Sequence, residues 1–168
     1  CALPISDTTL SVQQFSYDSR NRLACSATRM NKDYFAALPN DACSLFISGD
    51  FGDDRVVKTS YDVLSRETQI LTAFNTSAEA VDVAMSYTPN GQVQSRTDGR
   101  GNTTSYSYDG FDRLKRTTFA DGSYEENNYN ANGTLYSLRK RDGVLISHEY
   151  DGLLNVTRTY VGGESDIV

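Results

Sequence analysis

Few residues in this sequence have the chemistry of a catalytic centre, and most of those stand at places a repeat would put them. Histidine occurs once, at His148. A histidine metal cluster is thereby excluded, and any Ser-His-Asp or Cys-His arrangement has only that ring to use. His148 lies two residues before Tyr150, where other copies of the repeat described below carry Phe15, Tyr106 or Asn127. It is read as a strand side chain. Asp50, Asp53 and Asp54, interleaved with Gly49 and Gly52, offer the oxygen ligands of a hard cation such as Ca²⁺. Their spacing departs from the EF-hand loop, and the segment is read as a solvated turn. No carboxylate pair of the glycosidase kind stands out from so many turn aspartates. The expectation is no catalytic, cofactor-binding or metal-binding residue, no cofactor, and no enzyme. Of the cysteines, Cys1, Cys25 and Cys43, not all can pair within one chain. A Cys25–Cys43 bridge and buried free thiols both remain open.

The elements that carry these residues are strands and turns. The 168 residues include 11 Tyr and 7 Phe but no Trp, among many Thr, Ser and Asn. Aromatic and β-branched residues suit a pleated, half-buried surface, and Asn, Asp and Gly supply its turns. Sixteen basic against 22 acidic residues give a net charge of −6, which argues against nucleic acid, whose phosphates need a surplus of Lys and Arg. No apolar run approaches the roughly 20 residues of a membrane span, and no signal peptide is visible. The chain opens on Cys1 rather than Met and is read as a processed piece or a cut-out of something longer.

Self-similarity is strong. Tyr87, Tyr108, Tyr129 and Tyr150 recur every 21 residues. Gly101, Gly122 and Gly143 keep that period, as do Gly91, Asp112 and Gly133, four residues after the tyrosines. Six after them come Val93, Leu114, Leu135 and Val156. Two looser copies lie upstream, around Tyr17-Asp18 and Tyr61-Asp62. Within one period, Asn102 to Tyr108 favours a strand, and Asp109 to Asp112 breaks it, with Asp112 and its glycine equivalents suited to a left-handed conformation. Arg113 to Ala120 returns as a second strand, and Asp121-Gly122 is a two-residue hairpin signal. The repeated tyrosine is expected to end its strand on one face at every step, so that stacked copies form an aromatic ladder. A hairpin alone is marginal in water, so neighbouring units must supply the core.

The period breaks twice. From about residue 24 to 57 the chain reads as an insertion, with a helical turn around Asp33 to Leu38. The distance from Tyr17 to Tyr61 is also near two periods, which leaves room for one eroded repeat. Thr72 to Val83 is a second irregular patch. The expected division is a flank over 1–14, a repeat array over 15–160 and a tail over 161–168.

Tyr108-Asp109-Gly110-Phe111-Asp112-Arg113-Leu114 resembles the Y-D-x-x-G-R-L core of the RHS/YD-repeat family, with Asp at the Gly position. Tyr17 to Leu23 is similar, with Asn21 there. Tyr129 to Leu135 keeps Gly133 but lacks the Asp and Arg, and Tyr61 to Arg66 carries Ser65. The insertion, with Arg29-Met30-Asn31 and Leu38-Pro39, also resembles a segment of some bacterial members. The resemblance implies an all-β fold: tandem β-hairpin repeats of about 21 residues forming a curved antiparallel sheet, a β-solenoid segment. Bacterial relatives use such shells to encapsulate a C-terminal toxic domain, and related repeats occur in wall-associated proteins and in teneurins. The D-P-x-G motifs of the family's self-cleaving core are missing from this sequence, which has no Asp-Pro pair.

Size limits what the piece does alone. Twelve to fourteen strands at about 4.8 Å make on the order of 60 Å of sheet. Closed on itself, that is a tube about 20 Å across, too narrow for a folded domain. The expectation is therefore a structural scaffold, an arc of a shell from a bacterial secreted or cell-surface protein. Its partners would be the rest of the parent polypeptide with its C-terminal domain, or other copies meeting at the exposed sheet edges. The alternative is a carbohydrate- or cell-surface-binding module, in which non-repeat tyrosines such as Tyr34 or Tyr136 stack on glycans.

Overall fold

The computed structural model describes residues 11–45 and 51–162. The fold is all-β. Its strands are β1 (Val12–Tyr17), β2 (Leu23–Arg29), β3 (Arg55–Tyr61), β4 (Glu67–Thr72), β5 (Ala80–Tyr87) and β6 (Val93–Asp98). They continue as β7 (Thr103–Tyr108), β8 (Leu114–Thr118), β9 (Tyr124–Tyr129), β10 (Leu135–Arg139), β11 (Leu145–Tyr150) and β12 (Val156–Gly162). Order in the sheet follows order in the chain. The chain divides into two compact units, Cys1–Met85 and Ser86–Val168, with the division inside β5.

The expected strand boundaries are met closely. Repeat tyrosines end β1, β3, β5, β7, β9 and β11, and the apolar residue six positions on begins β2, β6, β8, β10 and β12. All connections but β2–β3 and β4–β5 use one five-residue turn. Its first residue donates its N–H to the fifth carbonyl and accepts from the fourth N–H, as in Asp109 to Arg113 at 2.9 Å and Asp112 to Asp109 at 3.0 Å. The fourth residue is left-handed throughout: Asp112 has φ 62° and Gly133 φ 92°. The Asp121-Gly122 turn belongs to the same class. Phe119 N–H bonds Ser123 O at 2.9 Å, so three residues, Ala120 to Gly122, form the loop. The expected two-residue hairpin is corrected by one residue. A left-handed glycine forming a bulge after a type I turn matches the strand twist as well as a two-residue turn does.

In the first unit the strands cover a small core. Its buried hydrophobic residues are Cys25, Ala27, Phe35, Ala42, Val56 and Val83, with Cys43 and Phe74 packed against the centre. The segment between β2 and β3 holds a single 3₁₀ turn, Lys32–Ala37, which Asn31 caps by accepting from Asp33 N–H at 3.2 Å. No strand occurs in its described residues. It is an insertion rather than an eroded repeat, and β2 pairs directly with β3, Cys25 opposite Lys58. Cys25 and Cys43 form a disulfide with Cα atoms 5.2 Å apart. Among the described residues of the second unit, only Ser137 is buried. Cys1, Gly49 and Asp50 lie outside the described residues, as do most of the expected flank and tail.

Candidate functional site

The residues that repeat are the ones that join hairpins. In each Asp-led turn the aspartate Oδ1 accepts the N–H of the third and fifth turn residues. Asp109 takes Phe111 at 2.9 Å and Arg113 at 3.1 Å, and Asp151 takes Leu153 at 2.8 Å and Asn155 at 2.9 Å. The fifth residue then folds back onto the same carboxylate. Arg22, Arg66 and Arg113 each place Nε 2.7 Å from Oδ2 of Asp18, Asp62 and Asp109. Asn102 and Asn155 do so with their amides, both at 3.0 Å. The Y-D-x-x-G-R spacing is thus a turn closed twice by one carboxylate. The bonds hold these acids below the ordinary carboxylate range. Arg22 takes Asp18 down to about 2, and Arg113 lowers Asp109. Asn102 and Asn155 likewise lower Asp98 and Asp151.

The tyrosine serves the preceding hairpin. Tyr108, Tyr129 and Tyr150 donate their hydroxyls to the carbonyls of Val93, Leu114 and Leu135 at 2.8, 3.0 and 2.8 Å. Tyr61 does the same to Leu23 at 3.0 Å across the insertion. Each acceptor begins the even-numbered strand beside the tyrosine. Where that hairpin's turn ends in arginine, the guanidinium lies over the incoming ring: Arg22 over Tyr61 at 4.5 Å and Arg113 over Tyr129 at 4.3 Å. A half-buried hydroxyl bond contributes about 0.5–1.5 kcal/mol, and an exposed cation–π contact about 0.5–1 kcal/mol. Burial raises the Tyr61 and Tyr108 hydroxyls above their ordinary value, so both remain donors at neutral pH.

This corrects the expected aromatic ladder. The tyrosines end alternate strands, so successive rings are separated by about 9–10 Å of sheet, too far to stack. The strand between them fills the space with an arginine and a carbonyl. A second stack of this kind occurs toward the opposite end of the strands, where Arg116 and Arg139 lie 4.1 and 4.0 Å from the Tyr124 ring.

The seam register is constant. Cys25 pairs with Lys58, Gln69 with Ala84, Ser95 with Ser105, Arg116 with Glu126, and Ser137 with Ser147. Every pair lies two residues past the strand-opening position and three before the tyrosine. One rule therefore sets all five seams.

The insertion is fastened differently. Arg29 is 1% exposed and uses its whole guanidinium. Nε donates to Gln14 at 2.9 Å, and the terminal nitrogens reach the carbonyls of Asp41, Ala42 and Ser44 and the Asp54 carboxylate at 2.7 Å. The second Asp54 oxygen accepts Met30 N–H at 3.0 Å. The Asp50-Asp53-Asp54 reading thus loses Asp54, whose carboxylate is taken up by Arg29 and the backbone. Among the described residues no group of three His, Cys, Asp or Glu is placed to hold a metal ion. His148 stands on β11, its Nδ1 3.1 Å from Thr159 Oγ1. Tyr34 and Tyr136 are 39% and 50% exposed and belong to different units, so the structure does not bring them together. The Asp–Arg closure was visible as a four-residue offset. The Arg29 clamp was not, because most of its acceptors are backbone carbonyls.

Residues 87–124, which contain two complete hairpins of this kind, match the family model described as RHS Repeat. They are an RHS repeat. The chain also resembles solved structures. TcdB2-TccC3-Cdc42 matches with a TM-score of 0.52 and 16% identity over 88% of this chain. TcdB2-TccC3 without its hypervariable C-terminal region gives 0.51 and 16% over 88%. At these identities the likeness is one of fold. The chain spans 9% of the length of either match. No curated protein matches it. The RHS repeat motif accordingly reads as a joint: Asp and Arg close one hairpin, and the next hairpin's tyrosine locks onto it. No helix among the described residues is long and apolar enough to cross a membrane.

Proposed function

We propose that this chain is a length of shell wall, an RHS-type scaffold without catalytic activity, from a larger bacterial secreted or cell-surface protein that encloses a C-terminal toxic domain. The observation that carries this is the constant seam. The residues repeated most faithfully, namely Tyr108, Tyr129 and Tyr150 with their turn aspartates or asparagines, have their polar atoms engaged in joining strands. Groups committed to the wall are poorly placed to meet a substrate. The fold likeness to TcdB2-TccC3, and the small share of those chains that this one spans, support a wall segment over a complete molecule.

The test is to isolate the native product containing this sequence, weigh it and digest it. The expected result is a mass far above 18.6 kDa and a C-terminal domain that resists protease until the wall is opened by acid or denaturant. A native product near 18.6 kDa would overturn the proposal, as would a C-terminal domain cut as fast with the wall intact as with it open.

A further inference from the structure

Among the described residues nothing pairs with the outer edge of β1 or of β12. The two edges carry opposite halves of one seam. On β1 the last residue is Tyr17, 59% exposed, whereas Tyr61, Tyr108, Tyr129 and Tyr150 are half-buried in their seams. On β12 the first residue is Val156, 53% exposed, at the position whose carbonyl takes a tyrosine hydroxyl in Val93, Leu114 and Leu135. Directions agree, because every odd strand is antiparallel to the even strand before it at all five recorded seams. The residue before Val156 is Asn155, so no guanidinium waits for the incoming ring. That is no obstacle: the seams of Tyr108 and Tyr150 follow turns ending in Gln92 and Thr134 and close on the hydroxyl bond alone.

We infer that β12 of one copy receives β1 of a second copy of this chain, head to tail, in the register of the internal seams, with Tyr17 of the second copy bonding the Val156 carbonyl of the first. The occupant is a second copy because the missing half has a fixed chemistry, a strand ending in tyrosine, and β1 supplies it. Applying the seam rule, Arg158 faces Gln14 of the next copy and Thr159 faces Gln13, as Arg96 faces Thr104 and Leu138 faces Ile146 within the chain. Contacts of this heterologous kind leave one free edge at each end, so assembly grows into open chains. The inference rests on seam geometry and is independent of the shell reading; a chain that self-associates says nothing about enclosed cargo, and the reverse also holds.

The test uses the full chain with Cys1→Ser, so that no terminal thiol interferes. Gln13→Cys and Thr159→Cys are made in separate proteins, mixed, and oxidised mildly. The two positions are exposed, and facing residues in an antiparallel pair lie within disulfide reach. The expected product is a Gln13→Cys/Thr159→Cys heterodimer, absent from either protein alone and at least about tenfold weaker when Phe15→Cys replaces Gln13→Cys. In sedimentation, the chain without added cysteines is expected to show average mass rising with concentration, and Tyr17→Phe to shift that rise to about fivefold higher concentration. Homodimers formed as readily as heterodimers would overturn the inference, and so would a monomer at every concentration.

Discussion

In the first unit Arg29 has a side chain 1% exposed and its partner Asp54 5% exposed, and the pair sits beside a disulfide and a packed cluster. In the second unit the corresponding pair, Arg113 and Asp109, is 27% and 19% exposed at the tip of a turn, and the hydrophobic cluster has no counterpart among the described residues. The same residue types are used to different ends. A buried arginine must find an acceptor for each N–H, and Arg29 does so by gathering the carbonyls of 41, 42 and 44 beneath it. Stability there is concentrated in one place. The hairpins of the second unit each contribute a shallow joint, and stability is distributed as in other repeat arrays. Long connections are costly to fix, so an insertion within a repeat array needs a clamp that the turns themselves do not.

The clamp is the place to break that contrast. Arg29→Ala leaves the Asp54 carboxylate buried without its partner and is expected to cost about 3–5 kcal/mol. Urea unfolding followed by tyrosine fluorescence reads the loss, and a cost below about 1 kcal/mol would show that the insertion is held by something else. Cys43→Ser is expected to cost about 3 kcal/mol for a loop of this size, the cysteines being 18 residues apart. Because Arg29 and the disulfide fasten the same loop, the two losses should not add.

Changes in the second unit are expected to be smaller and local. Leu154 is left-handed, with φ 65°, at a position where other turns have glycine. Leu154→Gly should stabilise by about 1 kcal/mol, visible as a raised urea midpoint; a lowered midpoint would mean the Leu154 side chain contributes more than its strain. Tyr129→Phe removes the hydroxyl bonded to Leu114 and should cost about 1 kcal/mol. Tyr108→Leu and Tyr129→Leu compared in the same assay isolate the Arg113 stack, which only the latter loses; the difference should be about 0.5–1 kcal/mol.

Acid acts on both units through the turns. Asp18, held near 2 chiefly by Arg22, and Asp109, lowered chiefly by Arg113, have folded values below their unfolded ones. Their contribution is present above the unfolded value of 3.8 and is lost as pH falls through the folded one. Carboxyl carbon shifts across pH 5 to 1.5 check this. Asp18 titrating near 3.8 would remove the Arg22 bond from the account.

Much of the second unit was legible in the sequence because its determinants are local. A left-handed residue four places after the tyrosine, a strand ending at Tyr108 and another beginning at Leu114 all follow from turn chemistry and period. What the tyrosines touch was not legible. Offsets show that Tyr129 recurs but not that an alternate strand separates it from Tyr108, so the aromatic ladder gave way to the Arg113 stack. The two-residue turn at Asp121-Gly122 missed because a left-handed glycine serves two- and three-residue loops alike. In the first unit the insertion and its short helical turn were visible as a break in period. The Arg29 clamp and the pairing of Cys25 with Cys43 were not, since both depend on contacts over a dozen residues or more.

The most direct test is residue-resolved native-state hydrogen exchange on the unaltered chain. If stability is concentrated under the insertion and shared along the seams, amides of β2 and β3 beneath the Arg29 clamp will exchange most slowly, through one cooperative opening. Those of β6 to β11 will then open hairpin by hairpin at lower free energies. Uniform protection across both units, or faster exchange in β2 and β3 than in β8 and β9, would contradict the account.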